Sequence, residues 1–150
     1  MGLLNLLLKD PVAFTLIAIP LLYAIIFHEL AHGWVAYRLG DSTARSLGRL
    51  SLNPLKHLDP MGTLMLFIFG FGWAKPVPVN FSHLRDRRMG MVLVSAAGIT
   101  TNMLLAFGAL LLTRLLSPAP SSMPAVLLHY FAQINIILAA INLIPLPPLD

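Results

Sequence analysis

Residues 11–38 read PVAFTLIAIPLLYAIIFHELAHGWVAYR. Val12 to Phe27 carries no charged side chain, and the run continues through His28, Glu29 and His32 to Arg38. It is too long for a signal peptide and has no small-residue cleavage site, so it predicts a first membrane-spanning helix that starts at Asp10-Pro11. Pro20 lies about two turns before the histidines, where a kink is tolerated because neighbouring helices can satisfy the freed carbonyl. The rest of the chain fits this reading. Of 150 residues, 57% are hydrophobic and 11% charged, with a mean hydropathy of +0.81, which excludes a water-soluble monomer. Cysteine is absent, so disulfides and thiolate metal sites are excluded and any zinc must use His, Asp or Glu. The net charge is +4, but the cations lie between apolar spans, which points to anionic lipid headgroups and not to nucleic acid.

Outward from this helix, residues 40 to 60 turn polar, with Asp41, Arg45, Arg49, Lys56 and Asp59 among the turn formers Gly48 and Asn53-Pro54. Met61 to Trp73 is strongly apolar but well short of the ~20 residues a spanning helix needs, so it predicts a re-entrant or interfacial segment. Phe67, Phe69, Phe71 and Trp73 alternate there as in a strand, which allows a β-hairpin, and they read as lipid anchors. After the basic cluster Arg85, Arg87, Arg88, the charge-free run Met89 to Thr113 predicts a second span. A last apolar run, Ala125 to Leu149, is broken near its end by Pro145, Pro147 and Pro148, which lack amide donors. The expected fold is an all-α membrane protein, a single embedded domain over 1–150, with three transmembrane helices and a short re-entrant segment.

His28-Glu29-Leu30-Ala31-His32 is an HExxH motif. Helical spacing puts the two imidazoles one turn apart on one face, where both can bind one metal ion. Glu29 lies beside them, placed to act as general base on a water that the metal activates. Two chance histidines are the bland alternative, but ionisable groups in a spanning segment cost about 2.5 to 3.5 kcal/mol on insertion scales and are functional by default. A catalytic zinc takes a third protein ligand and leaves one position for water. Asp10 is 18 residues before His28, roughly 27 Å along a helix, and Asp41 is nine beyond His32, roughly 14 Å. Asp59, Asp86, His57 and His83 fall in charged loops that favour solvation or pairing with arginine, and His129 opens the last span. Asp150 follows the proline-rich break, where an unwound segment can turn a carboxylate toward the metal, and is the expected third ligand to one zinc per chain.

Asp150 meets the HExxH motif only if the first and last spans run parallel. Met89 to Thr113 must then run antiparallel between them, and Met61 to Trp73 must enter and leave on one side. This places Arg45, Arg49, Lys56, Lys75, Arg85, Arg87 and Arg88 on one face, which the positive-inside rule assigns to the cytoplasm. The metal then sits roughly 9 to 15 Å below that boundary, counted from His32 and His28 to Arg38. A transporter or a zinc-stabilised scaffold would also hold a membrane metal. Neither needs a base beside the two histidines, and a transporter calls for more polar residues along its spans.

Together these residues resemble the site-2 protease family of intramembrane zinc metalloproteases, specifically short bacterial-type members without a PDZ domain. The resemblance covers nearly the whole chain. It includes His28, Glu29 and His32, Asp41 with Arg45, Gly48-Arg49-Leu50, Asn53-Pro54, Asp59-Pro60 with Gly62, the run Gly72 to Val77, and the run Asn142 to Asp150. It implies Asp150 as third zinc ligand, Glu29 as catalytic base, and an integral protein of the bacterial cell membrane that cuts a transmembrane protein substrate in regulated intramembrane proteolysis. Two departures stand out. Ala97-Gly98 is followed by Ile99 where the family often has proline, with Asn102 retained, and the sequence stops at Asp150 before the family's glycine, which implies truncation at the C-terminus. A substrate helix must unwind locally to be cut, and a re-entrant strand within Met61 to Val79 would offer an edge to it. Asn102 and Asn142 are candidates for steadying substrate or the oxyanion, with helix–helix hydrogen bonding as the alternative. Ser95, Ala96, Ala97 and Gly98 read as a close-packing surface.

Overall fold

The structure, a computed structural model, describes residues 3–144. Six α-helices follow one another: α1 (Leu3–Lys9), α2 (Pro11–Arg38), α3 (Thr43–Ser46), α4 (Pro60–Phe69), α5 (Arg87–Leu116) and α6 (Met123–Leu143). Local chemistry sets most of their starts. Asp10, Asp59, Asp86 and Ser122 each cap a helix, accepting from Ala13 N at 3.0 Å, Gly62 N at 2.7 Å, Met89 N at 3.0 Å and Ala125 N at 3.4 Å. Proline in the first turn of α2, α4 and α6 supplies a fixed φ and no orphan N–H. Asp59 and Asp86 were expected to be solvated or paired with arginine; helix capping is what the structure shows for both carboxylates.

Helices α2, α5 and α6 are long and apolar enough to cross a membrane, and their packing has the inverse of a soluble core. The buried apolar positions are mostly alanine, among them Ala24, Ala36, Ala97, Ala106, Ala109, Ala132 and Ala139. Leu104, Phe107, Leu111, Leu115, Ile137 and Ile141 point outward. Small residues let backbones approach where lipid supplies no hydrophobic drive between helices, and large side chains face the acyl chains. This is a membrane protein.

Side-chain neighbours fix the directions of the spans. His28 lies against Asn102 and His32 against Val94, so α5 descends as α2 rises. Ile19, Pro20 and Tyr23 of α2 share a groove with Leu127, Leu128 and Phe131 of α6. Further along, Asn102 bridges Ala24 and Asn135, so α6 runs parallel to α2. The C-terminal end of α6 thus points toward the side where α2 carries its histidines.

The segment from Met61 to Trp73 is re-entrant in its connectivity but is not a β-hairpin. Pro60–Phe69 is helical, ending on Gly70 at φ 81°, and the chain returns extended. Among the described residues no strand forms, and the one isolated bridge joins Leu58 to Ala74. Phe67 and Phe69, read as strand-like, lie in α4. A wholly apolar run does not distinguish helix from strand by periodicity, and the Asp59-Pro60 cap decides for helix. The ends do meet on one side, with Lys75 N–H donating to His57 O at 2.8 Å. Phe67 reaches down to Phe14, with ring centroids 5.9 Å apart. Gly62 and Gly72 make this fold possible, because an added Cβ would lie 2.1 Å from the Trp73 carbonyl oxygen or from the Gly62 carbonyl oxygen, respectively.

Candidate metal centre

His28 and His32 are both buried, on the face of α2 that packs against α5. Their rings stand nearly perpendicular, with centroids 4.6 Å apart. His32 Nδ1–H donates to the Val94 carbonyl at 2.7 Å, and a carbonyl can only accept, so that nitrogen carries the proton. His28 Nδ1 donates to Asn102 Oδ1. In the neutral rings both Nε2 atoms therefore carry lone pairs, and they are 3.0 Å apart. Two lone-pair nitrogens at that spacing share a proton or a cation. A metal-ligating imidazole characteristically donates its other N–H to a carbonyl or carboxylate-like oxygen, as both rings do here. The donor set suits zinc: neutral imidazole nitrogen, with carboxylate available and no thiol in the chain.

The close approach of α5 to His28 depends on Gly98. A Cβ there would fall 2.4 Å from His28 Cε1, 2.5 Å from Nε2 and 2.7 Å from Nδ1. The small-residue run around it does serve packing, and at Gly98 what it packs against is the His28 ring itself.

Glu29 is half-buried and faces the returning extended segment, where its Oε2 accepts from Val77 N–H at 2.9 Å. Gly33, one turn further on, lets Val77 and Leu50 close onto α2, since a Cβ would meet both side chains at 2.7 Å. Three residues beyond Val77, Asn80 N–H donates to Asp41 Oδ2 at 2.7 Å. Asp41 is wholly buried just past α2 and also accepts from Thr43 Oγ1, from Thr43 N at 3.1 Å and from His83 Nδ1 at 3.2 Å. Burial pushes its carboxyl up, but the hydrogen bonds from the Thr43 hydroxyl, the Asn80 and Thr43 backbone N–H groups and the His83 ring outweigh it and hold the group below the usual carboxylate range. Glu29, next to His28 in α2, and Asp41, just past the end of that helix, thus anchor residues 77–80 at two points.

The other candidates fall as follows. Both hydrogens of the Asn102 amide are engaged inside the bundle, by Asn135 Oδ1 at 2.6 Å and Ala24 O at 3.4 Å. Asn142 donates to Leu138 O of its own helix at 2.9 Å. Asp150 lies outside the described residues, and among those described no group of three or more His, Cys, Asp or Glu side chains is placed to hold a metal. His57, expected in a solvated loop, is instead wholly buried under the re-entrant segment, with Nε2 2.7 Å from Ser51 O. Sequence reasoning missed three partners of the site: Asn135, Val94 O and Val77 N–H. The first had a signal, an amide in an otherwise apolar span that it shares with Gln133 and Asn142. The two backbone groups had none, because a backbone atom's partner depends on packing and not on residue type.

Known proteins were compared with the chain. It is 45% identical over 141 residues to "Putative zinc metalloprotease YwhC" of Bacillus subtilis, covering 89% of this chain and 64% of that protein. It is 33% identical over 136 residues to "Putative zinc metalloprotease Rip2" of Mycobacterium tuberculosis, covering 86% and 51%. The Rip2 of Mycolicibacterium smegmatis is 29% identical over 142 residues, covering 91% and 54%. The chain therefore spans less than two thirds of the length of each of these relatives. No protein-family model matches it, and no solved structure does.

Proposed function

We propose that this chain, 45% identical over 141 residues to a putative zinc metalloprotease of Bacillus subtilis, is a member of the site-2 protease family and an intramembrane zinc metalloendopeptidase hydrolysing a peptide bond in or near the transmembrane segment of a membrane-protein substrate. The observation that carries this reading is the pair of Nε2 atoms 3.0 Å apart within a spanning helix, with each Nδ1 donating to an oxygen. His28 and His32 would hold one zinc ion, with Asp150 as the third ligand. When bound, zinc supplies a Lewis acid that brings the pKa of water from 15.7 to about 7.

The protein's own groups do the rest. Glu29, next to His28 on α2, takes a proton from the attacking water and returns it to the leaving amine. The Val77 N–H holds one of its oxygens and so fixes the carboxylate beside the histidines. The connections bearing Arg45, Arg49, Lys56, Lys75 and Arg85 lie on the side where α2 ends, and the positive-inside rule supports reading that side as the cytoplasmic face of a bacterial cell membrane.

The test uses the protein in liposomes with tagged single-span substrates, compared with Glu29→Gln, and zinc measured in both. Cleavage that disappears in the variant while zinc stays near one per chain supports the reading. Zinc without cleavage of any substrate would favour a scaffold or transporter, and no zinc in either protein would remove the metal argument.

A further inference from the structure

The three spanning helices are joined at their centre by one buried hydrogen-bonded chain, and its polarity can be followed from end to end. It begins at a backbone carbonyl, Phe131 O, which can only accept. Asn135 Nδ2 donates to it at 2.8 Å, which fixes the Asn135 amide so that Oδ1 faces Asn102. Asn102 Nδ2 donates to that Oδ1 at 2.6 Å and sends its other hydrogen toward Ala24 O. The only atom Asn102 can then turn to His28 is Oδ1, an acceptor, and it meets Nδ1 of the ring. Both asparagines are wholly buried, so water does not scramble the order.

We propose that this amide relay sets the tautomer of His28, holding the proton on Nδ1 and the lone pair on Nε2, and that Asn135 is a positioning residue for the metal ligand although it touches neither the ring nor the site. The proposal rests on the zinc reading above and deepens it. Two amides in series transmit a direction that neither sets alone. Asn102 by itself has only the long 3.4 Å bond to Ala24 O to resist a flip that would offer nitrogen to the ring. Asn135, pinned by Phe131 O, removes that freedom. Orienting partners one step out from a metal ligand are worth about 10- to 100-fold in metal affinity.

A simple role as a polar bolt between helices predicts a different outcome, so two variants and a spectroscopic readout separate them. Asn135→Leu takes away the acceptor for Asn102, freeing that amide to turn its NH2 toward Nδ1 and move the ring proton to Nε2. Asn135→Asp, as a neutral acid in this apolar setting, still accepts from Asn102 and donates to Phe131 O. Nitrogen NMR of histidine-labelled protein in micelles reads the tautomer of His28, and chelator competition reads zinc affinity. We expect Nδ1–H in the unaltered protein and in Asn135→Asp, both with similar affinity. In Asn135→Leu we expect Nε2–H in the metal-free protein and affinity down 10- to 100-fold. A folded Asn135→Leu protein with the Nδ1–H tautomer and unchanged affinity would overturn the proposal. So would a His28 Nδ1 that carries no proton in the unaltered protein, a result that can be read even if Asn135→Leu does not fold. If the unaltered protein binds no zinc, the protease reading fails separately, and the metal-free tautomer still decides the relay.

Discussion

Replacing Gly98 with alanine places a methyl carbon 2.4 Å from Cε1 and 2.5 Å from Nε2 of His28. Ordinary contact begins near 3.4 Å, so the ring or α5 must give by about 1 Å. The ring has little room to do so. Its Nδ1 is bonded to Asn102, its Nε2 faces His32 Nε2 at 3.0 Å, and it sits buried between two spanning helices. If α5 shifts instead, the carbonyl of Val94 moves away from His32 as well, because it lies one turn along the same helix. Overpacking of this kind costs about 1–3 kcal/mol, and loss of the Nδ1 hydrogen bond adds about 0.5–1.5 kcal/mol. Either displacement disturbs the two nitrogens as a pair, and we expect zinc affinity to fall at least about 10-fold. Gly108 lies on the same helix with open space around its would-be Cβ, so Gly108→Ala is the matched control and should leave both stability and zinc affinity unchanged or slightly improved. The assay is thermal melting in detergent together with zinc affinity by chelator competition. A Gly98→Ala protein that melts and binds zinc like Gly108→Ala would refute the view that α5 reaches the His28 ring through this glycine.

Two further expectations concern the segment anchored beside Glu29. Asp41 has its carboxyl held below the ordinary range in the folded protein, so the unfolded chain binds its proton first as pH falls; the stability it contributes is complete above about pH 4 and is lost as pH drops through the folded value. Melting temperature against pH should therefore fall more steeply below about pH 4 in the unaltered protein than in Asp41→Asn, and parallel curves would count against it. Gly62→Ala drives a Cβ to 2.1 Å from the Trp73 carbonyl, where backbone and not a flexible side chain must move. It should cost about 1–3 kcal/mol and open residues 70–75 to limited proteolysis; an unchanged digestion pattern would mean the two arms do not pack as described.

The spanning helices were legible in the sequence because their signal is one-dimensional. A charge-free run such as Met89 to Thr113 must satisfy its own backbone in lipid, and only a helix does that within one segment. The Asp-Pro starts at Asp10-Pro11 and Asp59-Pro60 are equally local, since a cap involves the next three residues. The parallel course of the first and last spans, required if Asp150 is to meet the HExxH motif, agrees with the order of contacts along α2 and α6. The HExxH spacing put His28 and His32 on one face before any packing was known, because 3.6 residues per turn is a property of the helix alone.

What the tertiary structure decided is everything that depends on which helix comes near which. The strand-like alternation at Phe67 to Trp73 gave way to a helix and an extended return, since an apolar run leaves both open and the cap with the Gly62–Gly72 approach selects one. Glu29 was visible as a candidate base, but its Val77 partner was not, because a backbone N–H carries no mark in the sequence. The protonation pattern of the histidines is likewise a product of packing. The motif supplies two imidazoles, and only the arrival of Val94 O and the Asn102–Asn135 pair from two other helices determines which nitrogen of each keeps its proton.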